Sequence, residues 1–390
     1  MTKNPEILAG LYIHIPFCKK KCFYCDFYSV TDLAQIPVFV AALENEMQLA
    51  SRVPLVFDTI YIGGGTPSML EASDVAQIIA LAFKYFKIMP GAEVTMEVNP
   101  GTATLADLAD YRSAGVNRLN IGVQSFHPEN LKFLDRIHTA EQALVCLEWA
   151  RQAGFINVGL DLIYGLPAQD PDNWREDLAR AVDIGPEHLS CYMLTREAGT
   201  PLDKAVAAGR IQMARETVLR ELFETTIAYL TGHGFLHYEI SNFARRGADS
   251  GSPWQSRHNS KYWSMAPYIG LGPSAHSFIE PERYWNYRNV PRYIQSLQAE
   301  KLPIDEKERL TREQLIMEAI YLGFRTAKGI DLFEVKSKFG MDFSNHFSQV
   351  IAEFEKEGLL KLTETHCSLT INGMVLLDSV TAAFTSQDLS

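Results

Sequence analysis

The sequence predicts an α/β protein: a partial (β/α)6 barrel followed by a C-terminal helical, winged-helix-like domain. Three observations carry that expectation. Short apolar runs alternate with amphipathic stretches six times before residue 195. Polar residues and glycines gather at one end of every run. From residue 311 the alternation stops and helical periods take over. Repeated strand–helix alternation argues for a parallel sheet, and right-handed crossovers curl six such units toward a barrel.

The elements follow in order. Strand one, 11–16, runs into Cys18; strand two, 59–63, into Gly63-Gly64-Gly65-Thr66-Pro67-Ser68. Strand three, 93–99, carries Glu97 and Asn99, and strand four, 118–124, ends at Gln124-Ser125. Strand five, 157–164, bears Asp161, and strand six, 188–194, bears Tyr192 and runs out at Thr195. Helices are expected between them at 38–52, 73–85, 105–114, 128–134, 140–153 and 174–182, the second with Ser73 as its N-cap. Active sites of such barrels lie at the C-terminal strand ends, which is where these polar groups collect. A helix at 215–230, a strand at 235–240 and a turn-rich region at 245–253 come next. Helices at 311–324, 331–338 and 344–355 then precede β-rich stretches at 360–363 and 368–371, a wing. The expected domains are 1–285 and 300–390. Winged helices often bind DNA, but residues 301–390 hold ten Lys/Arg against fourteen Asp/Glu, so a docking or lid role is expected.

The whole chain of 390 residues has a net charge of -11, which argues against nucleic-acid binding. No run of 18 apolar residues appears, so no transmembrane segment is expected. The start, Met1-Thr2-Lys3-Asn4-Pro5-Glu6, does not read as a signal peptide. Six cysteines make no disulfide framework, and the expected localisation is cytoplasmic.

Three of the cysteines form Cys18-x3-Cys22-x2-Cys25. Iron–sulfur clusters usually take four thiolates, so three leave one iron open to a ligand that is not protein. A structural zinc site, or three unrelated cysteines, is the alternative; zinc usually wants four ligands in C-x2-4-C pairs. Lys19-Lys20-Lys21 inside the loop favours thiolate and cluster charge and offers an acidic electron donor a docking point. Cys146 and Cys191 read as packing, and Cys367 as an exposed residue in a hairpin turn. Arg136 suits a bidentate grip on a carboxylate.

The motifs Tyr12-Ile13-His14-Ile15-Pro16-Phe17-Cys18, Gly63-Gly64-Gly65-Thr66-Pro67, Glu97-Val98-Asn99-Pro100, Gln124-Ser125-Phe126, Arg136-Ile137-His138 and Asp161-Leu162-Ile163-Tyr164-Gly165-Leu166-Pro167 occur in that order. The series resembles the oxygen-independent coproporphyrinogen III oxidase family, HemN-like members of the radical S-adenosylmethionine (SAM) superfamily. The resemblance implies a [4Fe-4S] cluster on Cys18, Cys22 and Cys25, with SAM chelating the open iron. It also implies SAM contacts from Tyr12, Tyr24, Gly64, Gly65, Thr66, Glu97, Gln124, Arg136, Asp161 and Thr195.

Two departures stand out. The oxidases carry a further cysteine where this chain has Phe27, and a longer segment where only ten residues precede Leu11. Both departures match another branch, the HemW heme chaperones, which also carry an H-N-x-x-Y-W motif, here His258-Asn259-Ser260-Lys261-Tyr262-Trp263. Gly270-Leu271-Gly272-Pro273-Ser274-Ala275-His276 follows it. Imidazole ligates heme iron, and Tyr262 and Trp263 suit a flat macrocycle; the other reading of His258 is a loop cap beside aromatic core residues. The resemblance implies a chaperone that binds heme and transfers it to apo-hemoproteins of respiration. Coproporphyrinogen III oxidation in porphyrin biosynthesis is the alternative, and radical chemistry on another substrate a third. Whether the chain is an enzyme, and whether it forms a homodimer, stay open.

Overall fold

A computed structural model describes residues 8–247 and 253–386. Met1–Glu6 and the middle of the 245–253 turn region lie outside the described residues. All six expected strands form: β1 (Ala9–Ile15), β2 (Val56–Gly64), β3 (Lys87–Val98), β4 (Arg118–Gln124), β5 (Val158–Tyr164) and β6 (His188–Met193). They pair in chain order and in parallel. Side chains alternate between the faces of a strand, and the two faces differ in kind. Leu11, Ile13, Ile60, Ile62, Val94, Met96, Leu119, Ile121, Leu160 and Leu189 are buried against the helices. The alternate positions, Tyr12, Tyr61, Glu97, Asn120 and Asp161, are polar and hydrogen-bond to one another or to His14. A barrel packed as a plain core would be apolar inside; this one keeps a polar interior.

Both edges are extended. β7 (Phe235–Glu239) and β8 (Asn242–Arg245) form a hairpin antiparallel to β6. β9 (Tyr268–Leu271) lies parallel to β1, and β10 (His276–Ile279), β11 (Glu282–Asn286) and β12 (Ile304–Arg309) continue antiparallel. The result is an open 12-stranded sheet with β12 and β7 at its ends, so the barrel is partial. The edge extension at β9–β12 escaped the sequence reading. Its strands are short, and β12, Ile-Asp-Glu-Lys-Glu-Arg, carries the charges of a protected edge rather than a strand's apolar alternation. β12 also lies past residue 300, so the large sheet reaches into the segment expected to open the second domain.

The helix Ala72–Tyr85 begins one residue before Ser73, with Glu71 at its N-cap and no side-chain cap bond, so Ser73 is not the cap. Real capping boxes occur at Thr104/Asp107 and Thr139/Gln142.

The C-terminal module has helices Arg312–Phe324, Leu332–Phe339 and Ser348–Lys356, as expected, and a wing of β14 (Leu360–Leu362) and β15 (His366–Leu369) joined by β13 (Ile330–Asp331). Cys367 is not in an exposed turn: it lies on β15, fully buried, because its strand starts earlier than the pattern suggested. Two more helices, Ile371–Val375 and Leu377–Thr385, bring Phe384 against Phe324, Phe343 and Phe347. The module's core is continuous with that of the barrel. No helix among the described residues is long and apolar enough to cross a membrane.

Candidate functional site

Each candidate sits where a strand ends. After β1 the chain turns through Cys18, Cys22 and Cys25, three partly exposed thiols without disulfides. The Thr66 hydroxyl donates to Cys18 Sγ at 3.4 Å, and Arg136 Nη1 donates to Cys22 Sγ at 3.7 Å. Burial, then the two neighbouring thiols, push Cys25 up to about 11, the mutual repulsion of groups that positive irons would relieve. No three His, Cys, Asp or Glu side chains among the described residues converge on one ion. Lys20 pairs with Asp135, so Lys19 and Lys21 are the loop's unpaired cations among the described residues.

Beyond β2, Gly65 donates to the Ile15 carbonyl and Thr66 to the Phe17 carbonyl, each at 2.8 Å. This glycine turn is therefore pressed against the cysteine loop. A Cβ on Gly65 would stand 2.8 Å from both carbonyls, and one on Gly64, at φ 108, would stand 2.5 Å from the His14 ring. Only glycine leaves this cradle open.

The inner wall is charged. Glu97 accepts from the Tyr61 hydroxyl at 2.9 Å and from Gly64 N at 3.1 Å. Burial, then the field of Asp161, raise it to about 7. Asp161 accepts from Asn120 Nδ2 at 2.6 Å, and burial raises it too. Arg136 Nη2 reaches Asn99 Oδ1 at 2.6 Å and the Gly122 carbonyl at 3.0 Å, and Tyr24 lies beside the guanidinium. Gln124 holds φ 70 at a register shift in β4, a backbone strain that a side chain tolerates only where its surroundings enforce it. Gln124 Oε1, Asp161 Oδ1 and Arg136 Nε are buried without a partner among the described residues. Unsatisfied buried polar atoms of this kind are places where a polar ligand can bond.

The structure thus gathers Tyr12, Tyr24, Gly64, Gly65, Thr66, Glu97, Gln124, Arg136 and Asp161. Thr195 stands apart: it is exposed and its hydroxyl goes to Glu197 Oε1 at 2.7 Å. Sequence reasoning missed Tyr61, Asn120 and Arg118, the last 1 % exposed inside the barrel. Their signal was a polar residue at every second position of a strand whose other positions are apolar.

The helix Arg257–Trp263 packs inside, against β1 and β2. His258 is 1 % exposed; its Nδ1 bonds Thr59 Oγ1 at 2.8 Å and its Nε2 the Tyr262 hydroxyl at 3.0 Å. Burial drops its pKa to about 3. Both ring nitrogens of His258 therefore hold partners within the fold. Asn259 N donates to the cap Ser256 Oγ, and Trp263 lies under the Arg325 guanidinium at 4.6 Å. Trp263 also lines a cavity of about 320 Å³ against the C-terminal module, with Met265, Lys328 and Phe339.

The Radical SAM superfamily model matches residues 12–181, and the HemN C-terminal domain model matches 310–376. Heme chaperone HemW of Bacillus subtilis is 32% identical over 97% of this chain and 99% of its own length. HemW of Mycobacterium tuberculosis is 34% identical over 95% and 93%. The chain belongs to the HemW family. The solved coproporphyrinogen III oxidase of Escherichia coli, a radical SAM enzyme, superposes with a TM-score of 0.82 at 25% identity, covering 99% of this chain and 92% of that one. Membership of this superfamily implies a [4Fe-4S] cluster and SAM, and the donors, glycine cradle and unpaired polar atoms found here fit both.

One consequence is direct. Gly65→Ala forces the turn away from the Ile15 and Phe17 carbonyls. The variant is expected to keep its circular dichroism but lose tenfold or more in SAM affinity by calorimetry. Wild-type affinity in this variant would show that the turn does not cradle the ligand.

Proposed function

We propose that this chain is a cytoplasmic heme chaperone that binds heme and passes it to apo-hemoproteins of respiration. The observation that carries the reading is the match to HemW proteins along nearly the whole of both chains, barrel and C-terminal module alike. The exposed Phe27, 65 % accessible, supports it, because the oxidases hold a cysteine at that place in the loop.

In this proposal Cys18, Cys22 and Cys25 hold the cluster. Arg136 takes SAM's carboxylate, the Gly64–Gly65 backbone and Glu97 its amino group, and Gln124 and Asp161 its ribose, with Tyr12, Tyr24 and Thr66 as walls. When bound, the cluster supplies an electron and SAM the sulfonium that can accept it. Tyr262 and Trp263 shape the interior wall, and His258 and Asn259 hold that helix in place rather than touch iron. Thr195 has no side-chain part here. Lys19 and Lys21 remain the docking point for an acidic electron donor. The natural division of the chain falls after β12, near residue 310, rather than at 285–300.

The test pairs two assays. Hemin titration is expected to saturate at about one per chain with a shifted Soret band. Coproporphyrinogen III with SAM and reductant is expected to yield no protoporphyrinogen IX by chromatography. Product at enzyme-like rates, on the order of 1 per second or a hundredfold below, would return the chain to the oxidases.

A further inference from the structure

We infer that His276, stacked on Trp285 at the concave rim of the sheet, is the protein ligand to heme iron. This rests on the chaperone reading above. An axial imidazole needs a ring nitrogen that is neither buried nor already bonded. Four buried histidines of the barrel fail this test. His14 gives Nδ1 to the Tyr12 hydroxyl at 3.0 Å and Nε2 to the Tyr28 carbonyl at 2.8 Å. His258 spends both nitrogens, and His138 and His188 are buried. His276 is exposed, and its ring has no hydrogen bond among the described residues.

The fold builds His276 into place. Gly272 at φ 94 and Ser274 at φ 67 make a tight turn between β9 and β10. A Cβ on Gly272 would stand 2.3 Å from the His14 carbonyl, so the turn lies hard against β1 and the cysteine side of the barrel. The buried Glu46 carboxylate locks it there, accepting from Gly272 N at 2.7 Å, Asn286 Nδ2 at 2.6 Å and the Tyr293 hydroxyl at 2.6 Å. That network joins the turn to the end of β11. It sets His276 opposite Trp285 across the two strands, ring centroids 5.5 Å apart and planes at 25°. The indole fixes the plane of the imidazole, and so the tilt of any macrocycle the ring ligates.

The surroundings match the rest of a heme. Partial burial, then Arg283 and Arg288, keep the His276 pKa below its ordinary value and the ring in its neutral, ligating form. Arg283 is engaged by Glu308 and Glu318. Arg288 is exposed, donates to the Asp26 carbonyl at 3.0 Å and lies 3.7 Å from the Asp26 carboxylate, a looser pairing than that of Arg283. An imidazole for iron and a guanidinium for a propionate thus lie close together.

The test titrates ferric hemin into the full chain and into His276→Ala, Trp285→Ala and, as a distant control, His233→Ala. His276→Ala is expected to lose the shifted Soret band and about tenfold or more in affinity, with free imidazole restoring the band. Trp285→Ala should weaken binding severalfold, and His233→Ala should match wild type. Circular dichroism checks that each variant folds. A wild-type spectrum in His276→Ala overturns this site and leaves the chaperone reading standing. Hemin that does not bind the wild type overturns both.

Discussion

Alanine at Cys18, Cys22 or Cys25 abolishes the visible absorption of the anaerobically reconstituted protein, and iron falls from about four per chain to near zero. Alanine at Cys146, Cys191 or Cys367 leaves both unchanged. The contrast is physical. Iron binds the thiolate, not the thiol. Burial raises Cys25 as well, to about 11, but it pushes Cys146 and Cys367 up to about 12 and Cys191 up too, and each of these three packs in an apolar core. The first three are partly exposed, and Thr66 and Arg136 already donate to Cys18 and Cys22. Iron and sulfide analysis of the six variants decides the matter. Equal losses in both groups would mean that the cluster is not held by the loop after β1.

Glu97→Gln is expected to make the SAM-free protein more stable at pH 8 and SAM binding weaker. Glu97 has an ordinary value of 4.5 and a folded value of about 7. Between those values the folded state holds a proton that the unfolded state has released. Its stability therefore falls as pH rises from about 4.5 to about 7. A neutral amide removes that slope. The gain above pH 7 is about 1 kcal/mol, discounted because the side chain is partly exposed and keeps two donors. For a chain of this size that is about 2 °C in the melting midpoint. SAM carries its positive charge on the sulfonium and amino groups. In the proposed site its affinity rises from pH 6 to 8 as Glu97 ionises, and falls about tenfold in the variant, whose pH profile is flat. Parallel wild-type and variant profiles would remove Glu97 from the SAM site.

The same carboxylate shows why parts of the site were legible and parts were not. Glu97, Gln124 and Asp161 could be named because each ends or interrupts an apolar run, where a buried polar group needs a reason. Tyr61 and Asn120 could not, since a tyrosine or an asparagine on a strand is ordinary until its neighbour is known. Asn120 matters because Asp161 stands 2.6 Å away, one strand over and 41 positions along. Thr195 differs: it stands just past a strand end, and its hydroxyl goes to Glu197, two residues on.

His258 and His276 mark the boundary between sequence and tertiary structure. Local spacing determined the cysteine triad, the glycine turn, the six parallel strands and the wing, because each is legible within a few residues or in the alternation of a single strand. Which histidine keeps a free nitrogen depends on groups brought in from far along the chain. Thr59 lies 199 positions from His258 and bonds it, while Glu46 lies 240 positions from Asn286 and locks the turn that presents His276. The open sheet that β9 to β12 add beyond β1 decides the second of these. Only long-range pairing creates that sheet, and no local period in the sequence announces it.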